Sequence, residues 1–384
     1  MKIMIFNTLY FPYRIGGAEV SVQLLAEELV RKGCTVRVVT LTEKKSRQVD
    51  ILNGVEVIGI PLANVYWPFN NKKHSIVKKM FWHIFDTLNI VMYYRAIKEI
   101  RKFSPDVVHT NNISGFSVLV WKAVSKFKIK LIHTSRDYYL FHPNSTLFSH
   151  GKNISLKSMN VFFWSIIKKK YSRFVDEYIG ISSFIERMHK ENGFFPKAKS
   201  DVIFNAVNKI ESSKSAKIKN IGFIGRLSKE KGFDVFCNIA GKYRSEFNFI
   251  AAGNFVNNDD QAILKTLAQR EHVGVKGYMK LEDFLDEIDA VVLPIKWNEP
   301  FGRTVVECAL AGKLVFTNPV GAMIELSTIL PNIIITKDMD RDFYGEIVNR
   351  EIKDIDSKLV NMFKPGEIAE QYLCVYNNEI KEIA

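Results

Sequence analysis

The chain reads as an α/β protein built from two doubly wound, Rossmann-like domains facing across a cleft. Three observations carry that reading. Short apolar runs alternate with amphipathic helical stretches along most of the 384 residues. The runs are nearly all-apolar rather than alternating, as strands buried on both faces of a parallel sheet are. The pattern also breaks once, at the polar, Ser/Lys-rich stretch Lys209–Asn220, and then restarts.

The strands before the break are expected at Ile3–Phe6, Val36–Thr40, Val107–His109, Leu131–His133 and Tyr178–Ile181. A helix over Glu19–Val30 places Val22, Leu25, Ala26 and Leu29 on one stripe, and Gly33 stops it. After the break, strands are expected at Ile221–Ile224, Phe249–Ala252 and Ala290–Leu293. Repeated βα units of this kind make a doubly wound sheet. The expected organisation is a first domain over 1–208, a linker over 209–219 and a second domain over 220–365. Pro365–Ile383 has Ile368, Tyr372, Leu373 and Tyr376 at helical spacing.

Composition narrows the class. Apolar residues make up 47% and charged residues 25%, which excludes a disordered scaffold. Lys and Arg number 54 against 41 Asp and Glu, a net charge of +13 that favours polyanionic partners. Nucleic acid, anionic membrane and phosphorylated substrates all qualify. No RNP, KH or helix-turn-helix signature stands out, so nucleic acid is not the expected partner. Cys34, Cys237, Cys308 and Cys374 form no C-x-x-C pair and predict buried, reduced thiols in a cytosolic protein. The apolar start before Asn7 is too short for a signal peptide, and no uncharged apolar run reaches the ~18 residues of a membrane span.

Two stretches stand apart. Lys72–Phe103 mixes Lys72, Lys73, Lys78 and Lys79 with Phe81, Trp82, Phe85, Tyr93 and Tyr94. Lys157–Phe174 sets Phe162, Phe163 and Trp164 beside Lys168, Lys169 and Lys170. Basic helices with large aromatic residues suit an anionic membrane surface. Aromatics packed on the sheet beneath a solvated lysine face would produce the same pattern.

The residues that can carry chemistry follow strand ends. Gly16 and Gly17 stand between the first strand and its helix, where backbone can approach a ligand and free N–H groups can meet an anion, or where the chain simply turns. Arg226 and Lys231 follow strand Ile221–Ile224, where a guanidinium fork with a point charge suits a diphosphate, or where both are simply solvated surface charges. Glu299 and Glu307 follow strand Ala290–Leu293 at a spacing of eight, flanking Phe301, Gly302, Arg303 and Thr304. A loop Glu can accept sugar hydroxyls, a helix Glu both hydroxyls of a ribose, and the N–H groups between them a phosphate. The same pair could also act only as cap and salt bridge.

Read together, YFPYRIGGAE, PDVVHTNN, HTSRDYYLFHP, FNAVN, GRLSKEKGFDVF, AAGN, VKGYMKLEDF and EPFGRTVVECALAGK form an ordered set. Over most of its length the chain resembles the retaining glycosyltransferases of family 4 (GT4), which have the GT-B fold. The resemblance implies transfer of a sugar from a UDP- or GDP-linked donor to a glycan or lipid-linked acceptor, as in bacterial-type surface polysaccharide synthesis. No metal and no further cofactor is implied. Arg226 and Lys231 match the pyrophosphate-binding pair, Glu307 the ribose-binding residue and Glu299 the residue that holds the donor sugar. Phe301, Gly302 and Arg303 shape the pocket, and Gly17 touches donor phosphate or acceptor. The second domain then binds the donor and the first the acceptor, with helix 366–384 crossing back to the first. A cytoplasmic protein is implied, lying peripherally on the inner face of the membrane through helices 72–103 and 157–174.

One departure concerns the acceptor side. Many relatives carry His-Asp where this chain has Arg136-Asp137. Arg136 could bind an acceptor phosphate or donor sugar oxygen, and Asp137 could orient it or accept an acceptor hydroxyl; a structural Arg–Asp pair is the alternative. His133, inside the strand, is a further acceptor-side candidate or a satisfied core histidine, and His109 is similar. Glu299, Arg136 and Asp137 are the residues expected nearest the chemistry. Two other readings remain: a sugar-nucleotide epimerase of related fold, and a basic nucleic-acid-binding protein.

Overall fold

A computed structural model of the chain describes residues 1–13, 16–70, 72–212, 217–257, 259–348 and 354–378. The chain forms two compact units. One holds Met1–Thr146, Ser155–Ala206 and Pro365–Ala384; the other holds Leu147–Ile154 and Val207–Lys364. Residues 213–216 of the expected linker and 379–384 of the expected crossover helix lie outside the described residues.

The first unit is built on an eight-stranded sheet. Its order is Lys199–Val202, Glu177–Gly180, Lys130–Ser135, Val107–Thr110, Lys2–Phe6, Thr35–Thr42, Val55–Pro61, Gln48–Leu52. All neighbours are parallel except the last pair. The first strand lies in the middle, so the chain winds outward one way and then the other, the doubly wound pattern. Ile3, Met4, Ile5 and Phe6 are fully buried, which is why that strand shows no polar alternation.

Helix Gly17–Arg31 lays Val22, Leu25, Ala26 and Leu29 on that sheet. Gly33, at φ +82°, ends it with a left-handed residue, its N–H donating to Val30 O. The terminal helix Pro365–Asn377 completes the same core with Ile368, Ala369, Tyr372 and Tyr376. Each fully buried aliphatic side chain there contributes about 1.5–3 kcal/mol.

The second unit has a six-stranded, all-parallel sheet. Its order is Gly274–Gly277, Asn248–Ala252, Asn220–Ile224, Ala290–Leu293, Leu314–Thr317, Ile333–Ile335. Again the first strand is central, and the winding reverses between Asn220–Ile224 and Ala290–Leu293. An antiparallel hairpin, Phe148–Ser149 with Lys152–Asn153, lies inside the stretch expected of the first domain yet belongs to this unit. Asn153 explains why: its Nδ2 donates to Lys296 O (3.2 Å) and its Oδ1 accepts from Asn298 N (3.0 Å).

The basic aromatic stretches form three helices, Ile76–Thr87, Ile90–Phe103 and Met159–Ser172. Ser75, Asn89 and Ser158 cap them, each accepting from the third residue onward. Their aromatics divide. Trp82 is buried and donates Nε1–H to Tyr66 O (2.9 Å), and Tyr93 is also buried. Phe81, Phe85, Tyr94, Phe162 and Phe163 are about half exposed or more. The ring of His83 meets Trp164 edge-on at 5.9 Å, so the first and third helices are neighbours. Lys168 corrects the expectation of three adjacent surface lysines: it is only 2% exposed, with its Nζ 2.5 Å from Tyr139 O and 3.8 Å from the Tyr139 ring centroid. The helical phase turns it inward while Lys170 stays exposed.

Candidate active site

In the second unit the candidate residues converge at the carboxyl ends of the two strands where the winding reverses. Ligands bind at such reversal points in open α/β sheets. The loop after Asn220–Ile224 carries Arg226 and Lys231, and ends at Gly232, φ +79°, which opens helix Phe233–Tyr243. The loop after Ala290–Leu293 carries Glu299 and Phe301, and ends at Gly302, φ +80°, which opens helix Arg303–Leu310. Neither glycine has a side chain to cap its helix, and Phe233 N donates to Ser228 O in the first of them; a helix N-terminus is a place where an anion binds.

The two loops are packed together. A Cβ on Gly232 would lie 1.9 Å from Pro294 O, so only glycine fits between them. Lys296 N donates to Glu230 O, and Lys296 Nζ reaches Asp234 Oδ2 at 2.5 Å. Lys231 Nζ bonds Glu299 Oε2 at 2.6 Å and lies 5.2 Å from the Trp297 ring centroid. Glu299 is itself pinned: its carbonyl accepts from Ala322 N (2.9 Å), and a Cβ on Gly321 would meet that oxygen at 2.2 Å.

Arg303 Nε bonds Glu307 Oε1 at 2.9 Å, one turn apart on the helix. Burial pushes the Glu307 carboxyl up, and the Arg303 guanidinium opposes that shift. Phe301 is buried, and Thr304 is half-buried in the first helical turn. Arg226 is half exposed and 3.6 Å from Glu230. The structure therefore gathers Lys231, Glu299, Phe301 and Gly302 on two adjoining loops and Arg303, Thr304 and Glu307 on the helix that follows the second, with Arg226 exposed. Cations, carboxylates and helix N-termini so arranged can hold a diphosphate beside a polyhydroxyl group.

In the first unit the corresponding strand ends carry Gly16, Gly17, Arg136 and Asp137. Gly16 N donates to Glu19 Oε2 (2.9 Å) and Gly17 is the first residue of its helix. Arg136 is buried. Its Nε bonds Asn111 Oδ1 (2.8 Å) and its Nη1 bonds Asn205 Oδ1. Asp137 Oδ1 accepts from Tyr139 N (2.8 Å). Burial pushes its carboxyl up to about 6, against the opposing pull of the Tyr139 amide and Lys168.

His133 bonds Thr110 Oγ1 at 2.9 Å and stacks on Phe195, and burial holds it well below the usual imidazole range. His109 lies between Tyr376 and Thr134, each at 2.8 Å. Both are buried and hydrogen-bonded to neighbouring side chains, and burial also holds His109 well below the usual imidazole range. His133 also lines a cavity of about 10 Å³, room for about one water, with Asn111, Ser135, Arg136 and Asp137.

Comparison with known proteins decides the family. The model of Glycosyltransferase Family 4 matches residues 15–209, and that of Glycosyl transferases group 1 matches residues 218–349. The chain belongs to glycosyltransferase family 4. It is 46% identical over 378 residues, 98% of the chain and all of the relative, to an uncharacterized 42.6 kDa protein in the cps region of Klebsiella pneumoniae. Among solved structures, sucrose-phosphate synthase from Thermosynechococcus elongatus superposes with a TM-score of 0.73 at 16% identity, covering 98% of each chain. Anabaena HepE in complex with UDP and glucose superposes at 0.69 and 15% identity, covering 98% of this chain and 99% of that one. Such neighbours establish the GT-B fold of this family 4 member, a glycosyltransferase.

Several residues of this family 4 site were not singled out from sequence. Asn111 and Asn205 hold Arg136 and lie inside the PDVVHTNN and FNAVN blocks, so the blocks were visible but not the roles. Trp297 beside Lys231 and Asp86 near Tyr139 had no local signal. Of the cysteines, all free, Cys237 and Cys308 are buried as expected, whereas Cys34 and Cys374 are only partly so. Among the described residues no group of three or more His, Cys, Asp or Glu is placed to hold a metal ion. No helix among them is long and apolar enough to cross a membrane.

Proposed function

We propose that this family 4 member is a retaining, metal-independent enzyme that moves a sugar from a UDP- or GDP-sugar to a glycan or lipid-linked glycan in surface polysaccharide synthesis. The observation that carries the donor reading is the Lys231–Glu299 pair between two glycine-opened helix starts at the sheet's reversal point. Arg226 and Lys231 bind the diphosphate, Glu307 the ribose and Glu299 the sugar hydroxyls. Phe301, Gly302, Arg303 and Thr304 line the pocket. Solved neighbours hold UDP, UDP with glucose, and UDP-2-fluoro glucose, which supports a uridine donor. The cps-region relative supports the polysaccharide setting.

In this mechanism the bond from the anomeric carbon to the phosphate oxygen breaks as the acceptor oxygen bonds on the same face. The acceptor proton passes to the departing phosphate. Lys231 and Arg226 stabilise the charge that develops there, and the protein otherwise positions the reactants. On the acceptor side, Gly16, Gly17, Arg136 and Asp137 contact the acceptor, with His133 behind them. The acceptor's lipid places the enzyme peripherally on an anionic membrane, through the exposed faces of its basic aromatic helices.

Thermal unfolding with UDP, GDP, ADP and CDP tests the donor reading. A nucleotide at 100 times its Kd stabilises by about 2.7 kcal/mol. A shift with one nucleotide, lost in Glu307→Ala, is expected; no shift with any of the four in a folded sample overturns the assignment. A product of inverted anomeric configuration by NMR overturns retention, and loss of turnover on chelation overturns metal independence.

A further inference from the structure

The exposed helices and the acceptor-side loop are joined by buried charges. Helix Ile76–Thr87 presents Ile76, Val77, Met80, Phe81, Ile84 and Phe85 to the outside, each at least 45% exposed. Its exposed charges are Lys78 and Lys79, and its single acidic residue, Asp86, is buried. Helix Met159–Ser172 exposes Met159, Phe162, Phe163 and Ile166, with Lys169 and Lys170 beyond them and no acidic residue. An apolar face whose accessible charges are all positive complements an anionic lipid surface.

Each of these helices sends one charge inward, and both charges meet Tyr139. Asp86 Oδ2 accepts from Tyr139 Oη (2.6 Å), and its Oδ1 accepts from Gly115 N (2.6 Å). Lys168 donates to Tyr139 O and lies over the Tyr139 ring. Tyr139 in turn donates its N–H to Asp137, next to Arg136. The loop continues through Phe141 N and His142 N, both donating to Tyr138 O. A single residue is thus held by both lipid-complementary helices and itself holds the carboxylate on the acceptor side.

We propose that Asp86 and Lys168 are positioning residues that couple the two exposed helices to the Arg136–Phe141 loop through Tyr139, so that lipid seated on the helices tightens the loop that meets the acceptor. This rests on the membrane reading above. The arrangement gives the coupling a physical path: a shift of either helix moves a buried charge that cannot leave its partner without a large desolvation cost. Packed interiors transmit such shifts rather than absorbing them.

The test is amide hydrogen exchange of the full chain with vesicles of phosphatidylcholine, and of phosphatidylcholine with phosphatidylglycerol. In the wild type, the anionic vesicles are expected to slow exchange at Tyr139, Phe141 and His142 by roughly tenfold, the scale of one charge-assisted hydrogen bond. Tyr139→Phe keeps the ring and removes only the hydroxyl that meets Asp86. It is expected to bind the vesicles as the wild type does while losing most of that slowing, and Asp86→Asn is expected to behave alike. Vesicle binding with the loop unresponsive in the wild type, or with the response intact in Tyr139→Phe and Asp86→Asn, overturns the coupling. No binding to anionic vesicles overturns the membrane reading and the coupling with it.

Discussion

Gly321→Ala strikes Glu299 through its backbone without touching its side chain. Gly321 is at φ +54°, and a Cβ there would lie 2.2 Å from Glu299 O, 2.5 Å from Glu299 N and 2.8 Å from Asn298 C. All three are backbone atoms, so no flexible side chain can move aside. The left-handed conformation costs an alanine about 1–2 kcal/mol. Overpacking against fixed backbone adds about 1–3 kcal/mol. Gly277→Ala is the control: its φ of +74° carries the same conformational cost, but nothing lies within 4 Å. The difference between the variants, about 1–3 kcal/mol, isolates the collision. The second unit can be read alone by following exchange protection of strand Ala290–Leu293 through a urea series, with strand Lys2–Phe6 as internal reference. Because Ala322 N and Glu299 O are bonded at the collision point, Gly321→Ala should also displace Glu299 from Lys231 and weaken nucleotide binding. Equal stabilities for the two variants, with unchanged nucleotide affinity, would refute the claim that Gly321 seats Glu299.

Three further outcomes follow from buried charges, two in the first unit and one in the second. Asp137 has its folded-state carboxyl raised to about 6, above its unfolded value, so its ionisation opposes folding, and that cost appears as pH rises from about 4 through 6. Asp137→Asn should therefore gain stability relative to the wild type at pH 7 compared with pH 4, by roughly 1–3 kcal/mol, in paired urea titrations. Lys168→Met leaves the buried Tyr139 carbonyl without its donor and removes the cation that offsets the buried Asp86 carboxylate, and should cost about 1–3 kcal/mol, whereas Lys170→Ala, at an exposed position, should stay within about 0.5 kcal/mol. Arg303→Ala removes the partner that opposes burial at Glu307, so the Glu307 carboxyl should titrate at higher pH by NMR than in the wild type.

The central strands and the donor loops were legible because their signals are local. Ile3–Phe6 and Ala290–Leu293 are buried on both faces and announce themselves as apolar runs. The ordered motif blocks, among them those that carry Arg226, Lys231, Glu299 and Glu307, were enough to resemble family 4. Edge strands were not legible: Lys199–Val202 and Gly274–Gly277 are mostly exposed, so nothing in KSDV or GVKG forces an apolar pattern.

Residue order and periodicity therefore determined the fold class, the family and the list of candidate groups. The packing of distant segments set everything that depends on which groups face each other. It drew the 147–154 hairpin into the second unit, turned Lys168 inward to Tyr139 and Asp86, placed Asn111 and Asn205 on Arg136, and set Gly321 under Glu299. Those partners are separated along the chain by 22 residues for Gly321 and Glu299, 25 for Asn111 and Arg136, 29 for Lys168 and Tyr139, 53 for Asp86 and Tyr139, and 69 for Asn205 and Arg136. A burial cost or a hydrogen bond is set by distance in space, and no local pattern in a single chain encodes which remote segment will supply the partner.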